Sequence, residues 1–256
     1  MKFSHAFFDL DGTVYVDGHL IPGVLQSLHA LKLSGTKIYY MTNNTSVPIK
    51  RYYEKLTELG LPVEDECVVS PTLTLAKWIK KSAFESFYSV GTSSFTSELV
   101  SLTGLKNCSS SPQVVVVAFD RELTYSKLQE ACRFINSGIP WVVTHVDLAC
   151  PSLNGPIPDC GSIAGLISST TGVSYIADFG KPSKYMRNMI QEISNYSSHI
   201  LIAGDRIYTD IQIGVDLGAT TILVCSGEYQ RDDPLLFTEQ QVRVHANLTD
   251  YLSSIK

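Results

Sequence analysis

The stretch FFDLDGTVYVDG, residues 7–18, ends an apolar run with two aspartates one residue apart, Asp9 and Asp11. Two neighbouring carboxylates raise each other's pKa, and burying a charge is costly unless another group neutralises it. The pair therefore needs either open solvent, as in a simple turn, or a bound cation.

Short apolar runs alternate with longer amphipathic stretches along the rest of the chain. Apolar residues share one helical face over 126–138, and Gly138 ends that pattern. Strands that alternate with helices predict an α/β fold with a mainly parallel sheet. The runs rich in β-branched or aromatic residues, which predict buried strands, are 5–10, 37–42, 114–119, 139–144, 199–204 and 220–225.

Turn and helix-start signals lie between these runs. Asp17-Gly18 predicts a hairpin turn just after the aspartate pair. Pro71, behind a capping Ser70, and Pro182 are each typical of a first helical turn.

Composition indicates an ordinary globular protein in a reducing compartment. The chain has 256 residues, 44% of them hydrophobic and 18% charged, with a net charge of −5. The lack of a basic block makes nucleic acid and anionic membranes poor partners. The six cysteines are scattered without a CxxC pair, and the N-terminus reaches Asp9 too soon for a signal-peptide core. We therefore expect a cytoplasmic protein with reduced thiols and no membrane span.

Polar residues follow several predicted strands at the point where each strand ends. Ligands of doubly wound sheets bind beyond the carboxyl ends of the strands, so these residues are candidate site residues. They are Asp9, Asp11, Thr42, Asn43, Asn44, Asp205 and Asp210, with Lys181 at the start of a further helix.

This set of side chains suits phosphoryl transfer through an aspartyl phosphate. A carboxylate can attack phosphorus and split one hard hydrolysis into two easier steps. Mg²⁺ prefers oxygen ligands and offsets the repulsion between carboxylates and a phosphate dianion. A lysine, a threonine hydroxyl and backbone N–H groups can hold the phosphate oxygens. The aspartate pair is therefore interpreted as one nucleophile and one general acid/base beside a metal.

Four motifs in this order resemble the haloacid dehalogenase (HAD) phosphatase superfamily. They are DLDGT at 9–13, TNN at 42–44, GKPS at 180–183 and GDRIYTD at 204–210. The resemblance implies a Rossmann-like core and a hydrolase that acts on phosphoric monoesters.

The resemblance also implies the roles of the acidic residues. Asp9 would be the nucleophile and a Mg²⁺ ligand, and Asp11 the general acid/base that also binds Mg²⁺ through its backbone carbonyl. Asp205 would bind the metal, and Asp210 would support the site from behind the ligands.

Four further positions are implied to bind the substrate. Thr42 and Asn43, with Asn44 beside them, would hold the phosphate. Lys181 would bridge the phosphate and the nucleophile, which also makes it a catalytic residue.

The long segment between the second and third motifs is similar to the inserted α/β cap of subclass IIA, the NagD-like and 4-nitrophenylphosphatase-like enzymes. We expect a core over 1–78 and 179–256 and a cap over 79–178. One departure is THVD at 144–147, where these relatives usually have T-N-P-D. His145 there is interpreted equally as a solvated loop residue or as a substrate contact.

The sequence thus predicts a Mg²⁺-dependent phosphatase for small phosphorylated metabolites, such as nucleotide or sugar phosphates. A homodimer formed through the cap is expected by resemblance. Two alternatives stay open: a phosphotransferase or phosphomutase that uses the same Asp9, and a catalytically idle binding protein of the same fold.

Overall fold

A computed structural model describes residues 3–152, 154–229 and 242–255. Its strands, in chain order, are β1 His5–Asp9, β2 Tyr15–Val16, β3 His19–Leu20, β4 Lys37–Met41, β5 Val68–Val69, β6 Ser86–Val90, β7 Lys106–Asn107, β8 Val114–Val117, β9 Trp141–Val143, β10 Ala149–Cys150, β11 Ile157–Pro158, β12 Ile200–Gly204, β13 Thr220–Val224 and β14 Arg243–His245.

The helices alternate with these strands. They are α1 Val24–Leu33, α2 Ile49–Glu58, α3 Pro71–Lys80, α4 Ser93–Thr103, α5 Tyr125–Asn136, α6 Cys160–Thr171, α7 Lys184–Ile193, α8 Gln212–Asp216 and α9 Leu248–Ser254, with a π-helical turn at Ile207–Ile211.

The described residues form two compact units. The first unit takes the chain up to Thr42, then Ile49–Val69, and then the residues from Arg187 onward. The second unit consists of Asn43–Pro48 and Ser70–Met186. The units divide the chain at residues other than 78/79 and 178/179, and those domain boundaries stay a prediction.

A six-stranded parallel sheet organises the first unit, in the order β14-β13-β12-β1-β4-β5. The chain starts at the central strand β1, extends to one edge through β4 and β5, and builds the other edge from β12 onward. Strand order therefore reverses between β1 and β12, and ligands of such sheets bind at this point, beyond the carboxyl ends.

Burial on both faces explains the three consecutive apolar residues in the middle of β1, Ala6, Phe7 and Phe8. All five of its residues are buried. Phe8 belongs to the main core of the unit together with Leu28 of α1 and Leu252 of α9. Phe7 stacks on Tyr39 of β4, with ring centroids 4.9 Å apart.

A second parallel sheet, in the order β7-β6-β8-β9, organises the second unit. Alternate residues of β8 belong to two different cores, Val115 and Val117 to one and Val114 and Val116 to the other. The first core also contains residues of α5 and α6, and the second residues of α3 and α4. This is an α/β layer arrangement, and it confirms the predicted fold class.

The strands and local turns expected from the sequence are present. Each of the six predicted apolar runs contains a strand. The predicted helix over 126–138 is α5, which Thr124 caps by accepting a hydrogen bond from the Lys127 N–H (3.3 Å). Asp17 and Gly18 both have positive φ, 49° and 80°, and join β2 to β3 as a hairpin.

Two helix-start predictions need correction. Pro182 precedes its helix, because α7 begins at Lys184 and the Ser183 hydroxyl accepts from the Met186 N–H (3.2 Å). Ser70 stands at the N-cap of α3, but its side chain makes no capping hydrogen bond. Prolines and serines marked these helix starts to within a few residues without fixing the capping atoms.

Candidate active site

Three buried carboxylates meet at the carboxyl edge of the first unit's sheet. Asp9 ends β1, Asp205 follows β12, and Asp210 lies in the π-helical turn. One oxygen from each lies within 4.8 Å of the other two. Three buried like charges repel one another, and a cation relieves both that repulsion and the cost of burial. An all-carboxylate set of donors fits a hard divalent ion such as Mg²⁺ or Ca²⁺.

Two glycines make room for the Asp205 carboxylate. A Cβ atom built on Gly12 or on Gly227 would lie well under 3.0 Å from Asp205 Oδ2, a separation that real Cβ atoms essentially never show. Gly12 also has φ of +89°, which L side chains rarely adopt. The same Asp205 oxygen accepts a hydrogen bond from the Glu228 N–H (2.9 Å). The backbone thus forms a close cradle around this carboxylate.

Asp210 is held in a similar way. Its Oδ2 accepts from the Arg206 N–H (3.3 Å), at the residue before the π-helical turn. A Cβ atom on Gly204, the last residue of β12, would collide with the Asp210 carboxylate. Asp210 therefore packs directly on the strand that leads into Asp205.

Asp11 differs from these three because it is exposed, and the cluster formed by the described residues does not include its carboxylate. Burial lowers the pKa of Lys55, and the negative charge of Asp11 partly offsets that effect. The Lys55 Nζ lies 3.5 Å from the centre of the Tyr15 ring. Burial raises the pKa of Tyr15, and Asp11 raises it further. Asp11 is thus accessible to solvent, and its charge interacts with that of Lys55.

The other predicted site residues follow β4. Thr42 is buried, and its N–H donates to the Val69 carbonyl (3.1 Å), which extends the pairing of β4 with β5. Asn44 forms an Asx turn, since its Oδ1 accepts from the Ser46 N–H (2.9 Å) and the Ser46 hydroxyl (2.7 Å).

Asn43 and Lys181, both buried, are brought together in the second unit. Asn43 Oδ1 accepts from the Lys181 N–H (2.8 Å), and Asn43 Nδ2 donates to the Lys181 carbonyl (3.2 Å). The same Nδ2 donates to Asp147 Oδ2 (3.2 Å). The second and third sequence motifs therefore meet through one amide side chain.

His145 is not a solvated loop residue, since its exposed fraction is 0%. Its Nε2 lies 2.8 Å from Asp159 Oδ1 and its Nδ1 lies 3.0 Å from the Thr144 hydroxyl. Both ring nitrogens thus have partners inside the second unit. The interpretation of His145 as a solvated loop residue is wrong, because the residue lies in the interior just after β9 ends at Val143.

Asp147 and Asp159 were not singled out from the sequence. With His145 they form a second group of buried ligand atoms within 4.8 Å of one another. Only the departure at 144–147 pointed to this region. The pairing with Asp159 depends on how β9 and α6 approach, which no local pattern encodes.

Two models of protein families match the sequence of the chain. The family model for haloacid dehalogenase-like hydrolases matches residues 6–104, and a second model described as HAD-hydrolase-like matches 178–251. These ranges contain all four motifs.

Individual relatives match over almost the whole chain. The 5'-nucleotidase YutF of Bacillus subtilis is 30% identical over 251 residues, which are 96% of each chain. The acid sugar phosphatase of Staphylococcus aureus is 31% identical over 91% of this chain and 90% of its own. A 4-nitrophenylphosphatase structure from Thermotoga maritima superposes with a TM-score of 0.93 at 32% identity, covering 100% of this chain and 98% of that one.

The carboxylate cluster lies at the strand-order reversal of a doubly wound sheet, which is where ligands of such sheets bind. The chain belongs to the haloacid dehalogenase-like hydrolases, in the NagD-like and 4-nitrophenylphosphatase-like group. It is an enzyme of the class that hydrolyses phosphoric monoester bonds.

A metal ion accompanies one further solved relative. The glycerol phosphate phosphatase of Mycobacterium tuberculosis, in complex with calcium, superposes with a TM-score of 0.86 at 26% identity, over 97% of this chain and 74% of that one. Among the described residues of the present chain, no helix has the length and apolar character needed to cross a membrane.

Proposed function

We propose that this protein is a Mg²⁺-dependent phosphatase that hydrolyses small phosphate monoesters through an aspartyl phosphate on Asp9. The observation that carries the proposal is the buried cluster of Asp9, Asp205 and Asp210 at the strand-order reversal. Buried carboxylates in this number fit a site built for a divalent cation and an anionic substrate.

Asp9, Asp205 and the backbone carbonyl of Asp11 would hold the metal. When bound, Mg²⁺ supplies positive charge that offsets the repulsion between the carboxylates and the phosphate dianion. Asp210 positions the strand end that carries Asp205, since it packs on Gly204 and accepts from the Arg206 N–H.

Asp9 attacks phosphorus, and its burial beside other carboxylates keeps it fixed at the strand end. Asp11 donates a proton to the leaving oxygen and then takes one from the attacking water. Its exposed position suits proton exchange with solvent. Lys181, Thr42 and the 43–44 backbone stabilise the phosphate oxygens as charge moves among them.

The substrates are small phosphorylated metabolites. The matched relatives are named as a 5'-nucleotidase, a sugar phosphatase and a glycerol phosphate phosphatase, so the panel to test contains nucleoside monophosphates, sugar phosphates and glycerol phosphate. A cytoplasmic location fits the six cysteines, none of which forms a disulfide within the described residues.

The test is inorganic phosphate release from this panel and from 4-nitrophenyl phosphate, with Mg²⁺ and with excess EDTA. Asp9→Asn is the test variant, and Asp17→Asn, in the hairpin turn after the motif, is its matched control. Release that needs Mg²⁺, persists in D17N and disappears in D9N is the expected result. Release in excess EDTA would show that the reaction does not need the metal. Release by D9N would show that Asp9 is not the nucleophile. Transfer of phosphate to an added alcohol instead of water would favour a phosphotransferase.

A further inference from the structure

The Asn43 side chain pairs with the Lys181 backbone as a neighbouring β-strand would. Its Oδ1 accepts from the Lys181 N–H (2.8 Å) and its Nδ2 donates to the Lys181 carbonyl (3.2 Å). A primary amide has two N–H donors. The second donor of Asn43 goes to Asp147 Oδ2 (3.2 Å). Both N–H donors of the Asn43 amide are thus used in hydrogen bonds within the protein.

Asp147 is a firm anchor for this amide. The Gly161 N–H, in the first turn of α6, donates to the Asp147 carbonyl (2.8 Å). A Cβ atom on Gly161 would collide with the Val146 carbonyl, so the glycine is what allows the helix to approach. The N-terminal turn of α6 therefore fixes the backbone that presents the Asp147 carboxylate.

Packing behind the amide leaves it little freedom to move. A Cβ atom on Gly180 would collide with the His145 Cβ and lie 2.8 Å from Asn43 Oδ1. His145 itself is held by Asp159 and Thr144. Asn43 is therefore enclosed between the 180–181 backbone and the 145–147 segment.

We propose that Asn43 is a positioning residue for Lys181, and that Asp147 fixes Asn43 in that role. The inference rests on the proposed function, in which Lys181 binds the phosphate. In this role the Asn43 side chain acts through Lys181, because both N–H donors of its amide are used within the protein. Asp147, at the end of the 144–147 segment, would thus help to position the phosphate-binding Lys181 through Asn43.

A donor–acceptor swap separates positioning from direct phosphate contact. Asn43→Asp keeps an acceptor for the Lys181 N–H but loses both donors and places a carboxylate against that of Asp147. Asp147→Asn keeps an acceptor for Asn43 and removes the charge. In the double variant N43D/D147N, the new amide at 147 can donate to the new carboxylate at 43, which restores the contact in reverse.

Each protein is assayed for kcat/KM with 4-nitrophenyl phosphate and for affinity for inorganic phosphate in Mg²⁺. We expect N43D to lose about 100-fold in kcat/KM, as a misplacement of about 1 Å does at other active sites. D147N alone should lose much less. The double variant should regain at least a tenth of the wild-type value, and phosphate affinity should follow the same order.

Asp147→Ala gives a second measurement if N43D does not fold. It leaves Asn43 and Lys181 intact but removes the anchor, and we expect phosphate affinity to fall about tenfold or more. Asp120→Asn is the control, since Asp120 is another buried carboxylate of the second unit, paired with Lys127 at 2.8 Å. It should leave kcat/KM and phosphate affinity unchanged.

Two results would overturn the inference: a double variant no better than N43D, or phosphate affinity unchanged in D147A. Either would mean that Asn43 contacts phosphate itself or does not act through Lys181. A wild-type protein that releases no phosphate from any substrate would instead overturn the proposed function. The inference would then be judged by phosphate affinity alone, and equal values in all variants would reject it.

Discussion

Gly12 and Asp205 are so close that a single added methyl group at residue 12 would collide with the Asp205 carboxylate. The glycine of the first motif and the aspartate of the fourth are thus parts of one structure, although 193 positions separate them in the sequence. Residue 12 in the turn after β1 is therefore restricted to glycine for two reasons: its positive φ, and the space that the Asp205 carboxylate occupies.

Gly12→Ala should weaken the metal site. The Cβ atom would displace Asp205 Oδ2, and the positive φ of 89° adds backbone strain of about 1–2 kcal/mol. We expect a higher Mg²⁺ concentration at half-maximal phosphate release, measured by titration of the metal.

Gly18→Ala is the control for the strain. Gly18 has φ of +80°, but its Cβ atom would meet nothing within 4 Å. Gly18→Ala should lower the free energy of unfolding by the same backbone strain of about 1–2 kcal/mol. It should leave the Mg²⁺ titration unchanged. Identical Mg²⁺ titrations for G12A and G18A would contradict the role of Gly12 as a spacer for Asp205.

Asp210→Asn should keep or raise the Tm of the metal-free protein but reduce the rise in Tm that Mg²⁺ causes. The substitution removes one of three buried like charges, while its amide oxygen can still accept from the Arg206 N–H. In EDTA we expect a Tm at or above that of the unmodified protein, because the repulsion is reduced. The rise in Tm on adding Mg²⁺ should be smaller, since less binding free energy is available to the folded state.

Asp216→Asn is the matched variant for this comparison. Asp216 lies at the end of α8 and pairs with Arg187, and it is not a member of the carboxylate cluster. Its rise in Tm with Mg²⁺ should equal that of the unmodified protein. A full Mg²⁺ response in D210N would show that Asp210 takes no part in the metal site.

The apolar strands were the part of the fold most readily predicted from the sequence. Strand β8 and residues 6–8 of β1 are buried on both faces of their sheets, so they appear as continuous apolar runs. The central strand β6 was not predicted, because SFYSV mixes serines with apolar residues. Its partners β7 and β8 determine it, and such non-local pairing leaves no local signature.

The same contrast holds for the site. Asp9 ends a strand, Asp205 follows one and Lys181 precedes a helix, and motif order predicted all three as site residues. The roles of Gly227, Asp147 and Asp159 arise from contacts between distant segments: Gly227 borders Asp205, and Asp159 binds His145. His145 was misjudged as a possible solvated loop residue because its depth depends on the packing of α6 against β9.

Cys108 should be more reactive than the buried Cys160 near neutral pH. The Ser110 hydroxyl and then backbone N–H groups lower its pKa to about 7, whereas burial raises the pKa of Cys160 to about 12. About half of Cys108 is therefore thiolate at pH 7, and thiolate is the reactive form. Labelling with iodoacetamide, followed by peptide mass spectrometry, should modify Cys108 in the folded protein and Cys160 only after unfolding. Labelling of Cys108 that still rises steeply between pH 8 and pH 9 would contradict the lowered pKa.

The His145–Asp159 pair should contribute far more to stability than a similar pair near the surface. His145 is 0% exposed, and its removal would leave the buried Asp159 carboxylate without its Nε2 partner. We expect His145→Ala to lower the free energy of unfolding by at least about 1–3 kcal/mol, the usual cost of leaving a buried polar group without its hydrogen-bond partner.

His245→Ala tests the same chemistry near solvent. His245 Nδ1 lies 3.2 Å from Asp250 Oδ2, and these side chains are 22% and 50% exposed. The loss of this half-exposed contact should lower the free energy of unfolding by less than about 1 kcal/mol, because water can replace the lost partner. Urea unfolding of both variants gives the two values directly. Similar costs would mean that the buried pair is not uniquely stabilising, and that Asp159 finds another partner when His145 is removed.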